Sequence, residues 1–219
     1  MIYSQDIIER FRKAAIPSVS DACDRVVGRR CFMDHSMRPR ISERKMVGPA
    51  VTVLMGPSAD VHPPTHMIET LDNAEGGEVI VVSLSEENLN MSLFGGLMTA
   101  GAYVNGFEGA VLSCGVRDLP EIKRDYSDFQ IFSRSVSCAT IVTRYVTLAN
   151  DIPVECGGIM VNPGDLIVGD LDGVVCVPQG KVEEVLKVVE EIEAMEAEQT
   201  KWILELKSFG KGLAKYNRY

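Results

Sequence analysis

Six short runs of β-branched and other apolar residues, each bounded by Gly, Pro or Asp, constrain the fold of this chain most. They lie at residues 47–55, 78–84, 109–113, 140–148, 165–170 and 173–178. Runs of this length and composition predict strands. Several are continuously apolar instead of alternating, which is expected when both faces of a sheet are covered. The sequence therefore predicts a buried sheet.

Helical segments are predicted around these strands. The first covers residues 4–15, with Ser4 as its N-cap, and ends at Pro17. Ser18 or Ser20 is expected to cap a second helix that stops near Gly28.

Three internal segments and the last forty residues complete the helical prediction. The internal helices are expected at 64–75, 95–106 and 119–125. Residues 180–207 place apolar side chains three or four apart on an acidic background, which predicts one long amphipathic helix. Such a helix, longer than the domain needs, is expected to pack on the body of the protein or to reach a neighbouring subunit, and we expect it at a subunit interface. Strands and helices together indicate a single α/β domain over residues 1–219.

Composition narrows the classes of partner. The net charge of −9 argues against nucleic acid. No apolar run approaches the roughly 20 residues that span a bilayer, and the amphipathic N-terminus lacks a signal-peptide core. The six cysteines form no CxxC pair and are expected to be reduced. We expect a cytoplasmic protein that binds neither nucleic acid nor membrane.

The stretch with the most potential for chemistry is residues 94–122. The strand at 109–113 leads into a Gly-Val-Arg-Asp turn that places Arg117 and Asp118 beyond the carboxyl end of a strand, where α/β sheets bind ligands. The helix opened by Gly95 and Gly96 presents free amides on residues 97 and 98 that can hold a carboxylate. This combination suits a small dicarboxylate or 2-oxo acid. From spacing alone, a surface salt bridge in a turn and a packing glycine pair remain alternatives.

Two further groups of polar residues are less specific. His62 and His66 lie four apart, but the intervening prolines make a metal-binding helix unsuitable. Asp165, Asp170 and Asp172 lack calcium-loop spacing and are expected to form turns.

Six motifs in a fixed order resemble the RraA-like family. They are IPSVSDACDRV, VGPAVTV, GGEVIVVS, GGLMTAGAYVNGFEGAVLSCGVRD, PVECGGIMVNPGDLIVGDLDGVVCVP and a terminal acidic helix, covering roughly residues 15–200. The family includes 4-hydroxy-4-methyl-2-oxoglutarate/4-carboxy-4-hydroxy-2-oxoadipate aldolases, oxaloacetate decarboxylases and the regulator of ribonuclease E activity. The resemblance implies an α/β/α-type sandwich of the swivelling phosphohistidine-domain kind, assembled as trimers or hexamers.

The resemblance also implies roles for individual residues. Arg117 is expected to contact the keto-acid oxygen, and Asp118 to bind Mg²⁺ or Mn²⁺. The substrate carboxylate is expected on the amides of Leu97 and Met98, next to Gly95 and Gly96. An acidic residue of a neighbouring subunit's C-terminal helix, Glu193 or Glu196, is expected near the metal water shell.

One position departs from the family pattern. The aldolases carry an acid directly before the two amide donors, where this chain has Gly96. That acid helps to order the water that handles the aldol proton, so its absence weakens the match to the 4-hydroxy-4-methyl-2-oxoglutarate reaction. The ribonuclease regulators lack the Asp of the Arg-Asp pair, whereas Asp118 is present here.

These observations predict a divalent-metal-dependent lyase. It would cleave a 4-hydroxy-2-oxo acid by a retro-aldol step, or decarboxylate oxaloacetate, because both reactions leave the enolate of pyruvate. The main alternative is a non-catalytic regulatory or binding protein related to the ribonuclease E regulator. Some members of this family carry an old methyltransferase label, but this sequence has no cofactor-binding glycine loop that would support a methyltransferase.

Overall fold

The sheet is built from strands that differ in direction. The computed structural model describes residues 2–59 and 61–214. The strands are β1 Arg38–Pro39, β2 Met46–Pro57, β3 Val79–Leu84, β4 Ser92–Phe94, β5 Gly109–Val116, β6 Gln130–Val136, β7 Tyr145–Asn150, β8 Val154–Cys156, β9 Ile159–Val161, β10 Leu166–Asp170 and β11 Gly173–Val177. The spatial order is β1-β6-β5-β3-β2-β10-β11, with β4 paired to β5 and β7 to β2. Strands β2, β3, β5 and β6 run parallel, as do β4 and β5, whereas β1, β7, β10 and β11 pair antiparallel with their neighbours. A separate hairpin contains β8 and β9.

The helices follow the predicted order with one correction at the N-terminus. The hydroxyl of Ser4 accepts a hydrogen bond from the Ile7 amide at 3.3 Å, which confirms the first N-cap. The prediction that Ser18 or Ser20 caps the second helix is wrong, because that helix already begins at Ile16 and takes Pro17 into its first turn, where a missing N–H costs nothing. The helices are α1 Gln5–Lys13, α2 Ile16–Val26, α3 Thr65–Asp72, α4 Gly96–Val104, α5 Leu119–Asp125, α6 Val182–Leu206 and α7 Phe209–Ala214.

Five of the six predicted strands are confirmed, and the sixth is only half right. Of residues 140–148, those before Tyr145 form a loop, in which Thr143 adopts a left-handed backbone with φ of 67°. Such a conformation interrupts a strand, because strand residues need negative φ.

The strand register places all the packed helices on one face of the sheet. Ile80 and Val82 of β3 face a cluster that contains α3, α4 and α5, whereas the intervening Val79 and Val81 face a second cluster with hairpin β8–β9. On the helical face, β10 and β11 pack against α1, α2 and α6. Both faces are covered, as predicted, but the expected sandwich with helices on both sides is wrong because the hairpin covers the inner face.

The sheet curls until its two edge strands approach each other. The guanidinium of Arg38 in β1 donates hydrogen bonds to the carbonyls of Leu171 (3.3 Å) and Asp172 (3.4 Å) in the turn between β10 and β11. The result is a nearly closed, barrel-like sheet, since strand twist accumulates across neighbouring strands. The likeness to swivelling phosphohistidine domains stays a prediction.

The long C-terminal helix is confirmed within two residues of its predicted ends. Its 25 residues span about 37 Å. Its first half buries Val185, Leu186, Val189 and Ile192 in the cluster that α1 and α2 share with the sheet, with α2 as its main neighbour, and α7 packs back on α6. No helix within residues 2–59 and 61–214 has the length and apolarity of a membrane span. The role of α6 at a subunit interface stays a prediction. The single domain over residues 1–219 also stays a prediction, and residues 1, 60 and 215–219 lie outside the described ones.

Candidate functional site

The Arg-Asp pair and the glycine pair meet at one edge of the sheet. Strand β4 pairs in parallel with β5, placing Phe94 opposite Val116. The carboxyl ends of both strands therefore point the same way, so the residues that follow each strand become neighbours. The Arg117 amide donates a hydrogen bond to the Phe94 carbonyl at 3.0 Å, which fixes the two chain segments together.

Asp118 is held in an uncommon backbone conformation. It caps α5 with φ of 58° and ψ of 30°, the left-handed region that Asp tolerates better than most residues. Its Oδ2 accepts a hydrogen bond from the Gly96 amide at 2.9 Å and lies 3.6 Å from Nε of Arg117. Both side chains stay partly open, with 39% of Arg117 and 42% of Asp118 exposed. Both can therefore reach a bound ligand.

The two glycines have different steric roles. A Cβ at Gly95 would lie 2.6 Å from Oδ2 of Asp118 and 3.1 Å from both Cγ and Nε of Arg117. At Gly96 the corresponding Cβ would be 3.6 Å from Oδ2 of Asp118, an ordinary contact. Gly95 is therefore needed for the close approach of the pair, whereas Gly96 could carry a side chain.

The first turn of α4 faces the same site. The first helical hydrogen bond runs from the Thr99 amide to the Gly95 carbonyl at 2.9 Å. The amides of Leu97 and Met98 precede it and have no partner within the helix, which is a property of every helix N-terminus. A helix start of this kind favours anionic groups.

A cavity of about 400 Å³ unites these elements. All six residues predicted from α4 and the Arg-Asp turn line it, namely Gly95, Gly96, Leu97, Met98, Arg117 and Asp118. The remaining walls were not predicted from the sequence. They come from the loop before α3 and from the segment that returns through β7, including His62, Pro64, Thr140, Ile141, Val142, Tyr145 and Val146.

Two predicted site residues lie elsewhere. Glu193 and Glu196 are on α6 and do not line this cavity within the chain. The Glu193 carboxylate instead accepts a hydrogen bond from the Ala15 amide at 2.6 Å. Glu196 is exposed. Their predicted role needs a second subunit and stays a prediction.

The donor set of the cavity suits a loosely held, hydrated ion. Within the described part of the chain, no three His, Cys, Asp or Glu residues converge in a way that could hold a metal, and Asp118 is the one carboxylate among the described residues that line the cavity. Mg²⁺ characteristically keeps several waters and binds through one or two carboxylates together with oxygen atoms of the substrate. Asp118 fits that pattern.

The fold and the Arg-Asp site at the edge of its sheet define an α/β protein of the aldolase/RraA class. The family model described as RraA-like, Aldolase/RraA, matches residues 16–176. This chain belongs to the RraA-like family.

Individual relatives agree in sequence and in fold. A protein of Halalkalibacterium halodurans, named "Putative 4-hydroxy-4-methyl-2-oxoglutarate aldolase", is 30% identical over 83% of this chain and 81% of its own length. The crystal structure of an uncharacterized protein from Pseudomonas syringae pv. tomato is similar with a TM-score of 0.85 and 25% identity, covering 98% of this chain and 95% of that one. Streptomyces coelicolor RraAS2, described as an unusual member of the RNase ES inhibitor RraA protein family, shares the fold with a TM-score of 0.78 and 22% identity, over 89% and 96% of the two chains.

Proposed function

We propose that this protein is a divalent-metal-dependent carbon–carbon lyase acting on 2-oxo acids. The observation that carries the proposal is the convergence of the Arg117 guanidinium, the Asp118 carboxylate and the first-turn amides of α4 on one cavity. Its reactions would be the retro-aldol cleavage of a 4-hydroxy-2-oxo acid and the decarboxylation of oxaloacetate. The name of the H. halodurans relative supports the first of these.

The residues of this chain divide the substrate between them. The amides of Leu97 and Met98 would bind the 1-carboxylate, and Arg117 would donate to the 2-keto oxygen. When the C3–C4 bond breaks, negative charge develops on that oxygen, so the contact with Arg117 strengthens in the transition state. Losing one such contact typically costs about 10²–10³ in rate, or roughly 3–4 kcal/mol.

Asp118 is the residue that would hold Mg²⁺ or Mn²⁺. Its contacts with Gly96 and Arg117 both fall on Oδ2, so its other oxygen would be the one available to hold the ion. When bound, the ion would supply Lewis-acid stabilisation of the enolate oxygen.

The retro-aldol reaction also needs an acceptor for the proton of the 4-hydroxyl group. The family acid that helps to order the water handling this proton is absent at Gly96, while His62 lines the same cavity. We assign His62 as the proton acceptor, since histidine is the commonest general base in enzymes. Decarboxylation of oxaloacetate releases CO₂ without removing a hydroxyl proton, so it would not need His62.

A pyruvate-release assay tests the proposal. Purified protein is given racemic 4-hydroxy-2-oxo acids or oxaloacetate with Mg²⁺ or Mn²⁺, and pyruvate is measured by coupled reduction with lactate dehydrogenase. We expect turnover that EDTA abolishes and that Arg117→Ala or Asp118→Ala lowers at least 10²-fold.

The chain offers a matched control pair for these variants. Arg124 and Asp125 are also consecutive and ion-paired at 2.7 Å, but they lie on the surface of α5. Arg124→Ala and Asp125→Ala should leave turnover unchanged. Full activity of Asp118→Ala, or of metal-free protein, would refute the mechanism.

The rival function is a regulatory protein with an inactive site, and Gly96 is the observation that favours it. Oxalate resembles the enolate of pyruvate and should bind to a working site only when metal is present. Isothermal titration with Mg²⁺ and oxalate therefore separates the two functions, because a regulator would show no metal-dependent binding.

We further propose a cytoplasmic trimer or hexamer in which α6 of one subunit reaches the cavity of the next. Glu196 is more exposed than Glu193, so we assign that contact to Glu196. Light scattering gives the assembly state. In an assembled enzyme, Glu196→Gln should lower turnover without changing the mass, and a fully active monomer would contradict the proposal.

A further inference from the structure

Apart from the Arg-Asp pair, the cavity is lined mostly by apolar residues. They include Leu97 and Met98 of α4, and Ile141, Val142 and Val146 of the returning segment. Leu97 and Val142 are also exposed, so a ligand in the cavity can cover their hydrocarbon. Apolar surface of this kind is stabilised when a ligand covers it with hydrocarbon.

The same lining holds little that could neutralise an anion. Among the described residues that line the cavity, Arg117 is the one Lys or Arg. The next guanidinium along the wall belongs to Arg144, which donates to the Thr140 carbonyl at 3.1 Å and lines a different surface depression. A second carboxylate beside Ile141 and Val142 would therefore lose hydration without meeting a second Lys or Arg. The cavity still offers it the imidazole of His62, which the proposed cleavage uses for the 4-hydroxyl group, and the hydroxyls of Thr140 and Tyr145, whose uncharged hydrogen bonds are weaker than an ion pair.

The size of the cavity bears on the length of the substrate. Small-molecule sites usually enclose about 300–1,000 Å³, and this cavity encloses about 400 Å³. A pyruvate unit held at Arg117 and the first turn of α4 would leave the apolar wall uncovered. The remaining volume suits a hydrocarbon chain attached to C4.

We infer, resting on the proposed function, that the substrate is a 4-hydroxy-2-oxo acid whose C4 substituent is uncharged and apolar. In the cleavage, the 4-hydroxyl proton goes to His62, the C3–C4 bond breaks, and C4 becomes a carbonyl carbon. The bonding electron pair leaves with C3 as the enolate, which takes up a proton to give pyruvate. The second product is an apolar aldehyde or ketone, and no oxidant or reductant is consumed.

A substrate pair that differs only at C4 tests this inference. Racemic 4-hydroxy-2-oxoheptanoate carries a propyl group at C4, whereas racemic 4-hydroxy-2-oxoglutarate carries a carboxylate. We expect kcat/KM to favour the propyl substrate by at least about tenfold, given the hydrocarbon that it buries. Oxaloacetate is run in parallel as a measure of the proposed lyase function itself.

Two valine variants make the test specific to the cavity wall. Val142 and Val136 are both 53% exposed, but only Val142 lines the cavity. Val142→Arg should shift the preference toward the dicarboxylate by at least about tenfold, while Val136→Arg should leave it unchanged.

The outcomes separate the two proposals. A wild-type preference for 4-hydroxy-2-oxoglutarate, with oxaloacetate also turned over, would overturn the inference and leave the lyase function standing. Equal effects of the two valine variants would also overturn it. If none of the three compounds released pyruvate, the lyase function would fail and the inference would fall with it.

Discussion

Replacing Gly95 with alanine is the sharpest perturbation that this structure offers. Gly95 caps α4 and has extended backbone angles, with φ of −153°, so alanine meets no backbone strain there. The obstacle is the new Cβ itself, which would lie 2.6 Å from Oδ2 of Asp118 and 3.1 Å from Nε of Arg117. One methyl group therefore presses on both functional side chains without removing either.

The size of the effect follows from the displacement required. To reach an ordinary contact of 3.4 Å, the Asp118 carboxylate must move by about 0.8 Å. A displacement near 1 Å in an active site costs about 10²-fold in rate, which corresponds to about 2.7 kcal/mol of transition-state stabilisation. Because both side chains are partly exposed and can shift, the free energy of unfolding should fall by less than about 1 kcal/mol.

The assay compares two adjacent glycines. Metal-dependent pyruvate release and thermal unfolding are measured for Gly95→Ala and for the control Gly96→Ala, whose Cβ would keep ordinary contacts. We expect the first variant to lose about 10²-fold in kcat/KM and the second to stay within a factor of about three. Wild-type activity of Gly95→Ala, or an equal loss in both variants, would refute this steric argument.

Three further perturbations follow from contacts in the structure. His62→Gln should lower retro-aldol turnover by about 10²-fold or more, while oxaloacetate decarboxylation persists. The control His66→Gln lies outside the cavity and should change neither rate. Loss of both reactions in His62→Gln would contradict the role of His62 as a base. Asp165 is buried and accepts hydrogen bonds from two backbone amides. Asp165→Ala should therefore lower the free energy of unfolding, measured in urea, by about 2–4 kcal/mol. Asp172 is exposed, and Asp172→Ala should lower the free energy of unfolding by less than about 0.5 kcal/mol. Burial raises the pKa of the Cys156 thiol in the folded protein, so above about pH 9 this thiol ionises in the unfolded chain first. The free energy of unfolding should therefore fall as pH rises, and less steeply in Cys156→Ala. Identical slopes of the two proteins against pH in urea titrations would contradict this assignment.

The part of the site that could be predicted from the sequence is the part built by consecutive residues. Arg117 and Asp118 directly follow a strand, where α/β sheets bind ligands, so both could be predicted as site residues. Leu97 and Met98 could be predicted because they directly follow a glycine pair that opens a helix. The proximity of the two groups depends on β4, a three-residue strand too short to leave a periodic pattern. Pairing of β4 with β5 is a tertiary fact.

The walls of the cavity and the packing of the sheet could not be predicted from the local sequence pattern, because they also depend on tertiary contacts. Residues 140–148 have strand-like composition throughout, but only a tertiary contact with β2 decides that the strand begins at Tyr145. A continuously apolar strand such as β3 shows that both faces are covered without showing what covers them. Here the inner cover is hairpin β8–β9, whose Gly157–Gly158 turn is a hairpin signal in the sequence but does not show that the hairpin packs on the inner face.

Gly96 and the apolar lining of the cavity both fit a substrate with a single carboxylate. Arg117 and Asp118 cancel each other, so a divalent ion would add two positive charges, matched by the 1-carboxylate and the enolate of a monocarboxylic substrate. An acid at position 96 would fit sterically, since its Cβ would lie 3.6 Å from Oδ2 of Asp118, and would place a second negative charge beside the ion. Gly96→Asp should therefore bind Mg²⁺ more tightly in the absence of substrate, by roughly tenfold for a gain near 1.4 kcal/mol, in an isothermal titration. The same added charge should weaken the binding of oxalate per bound ion, because like charges repel in a partly desolvated site. Unchanged Mg²⁺ affinity in Gly96→Asp would show that the ion does not sit at Asp118.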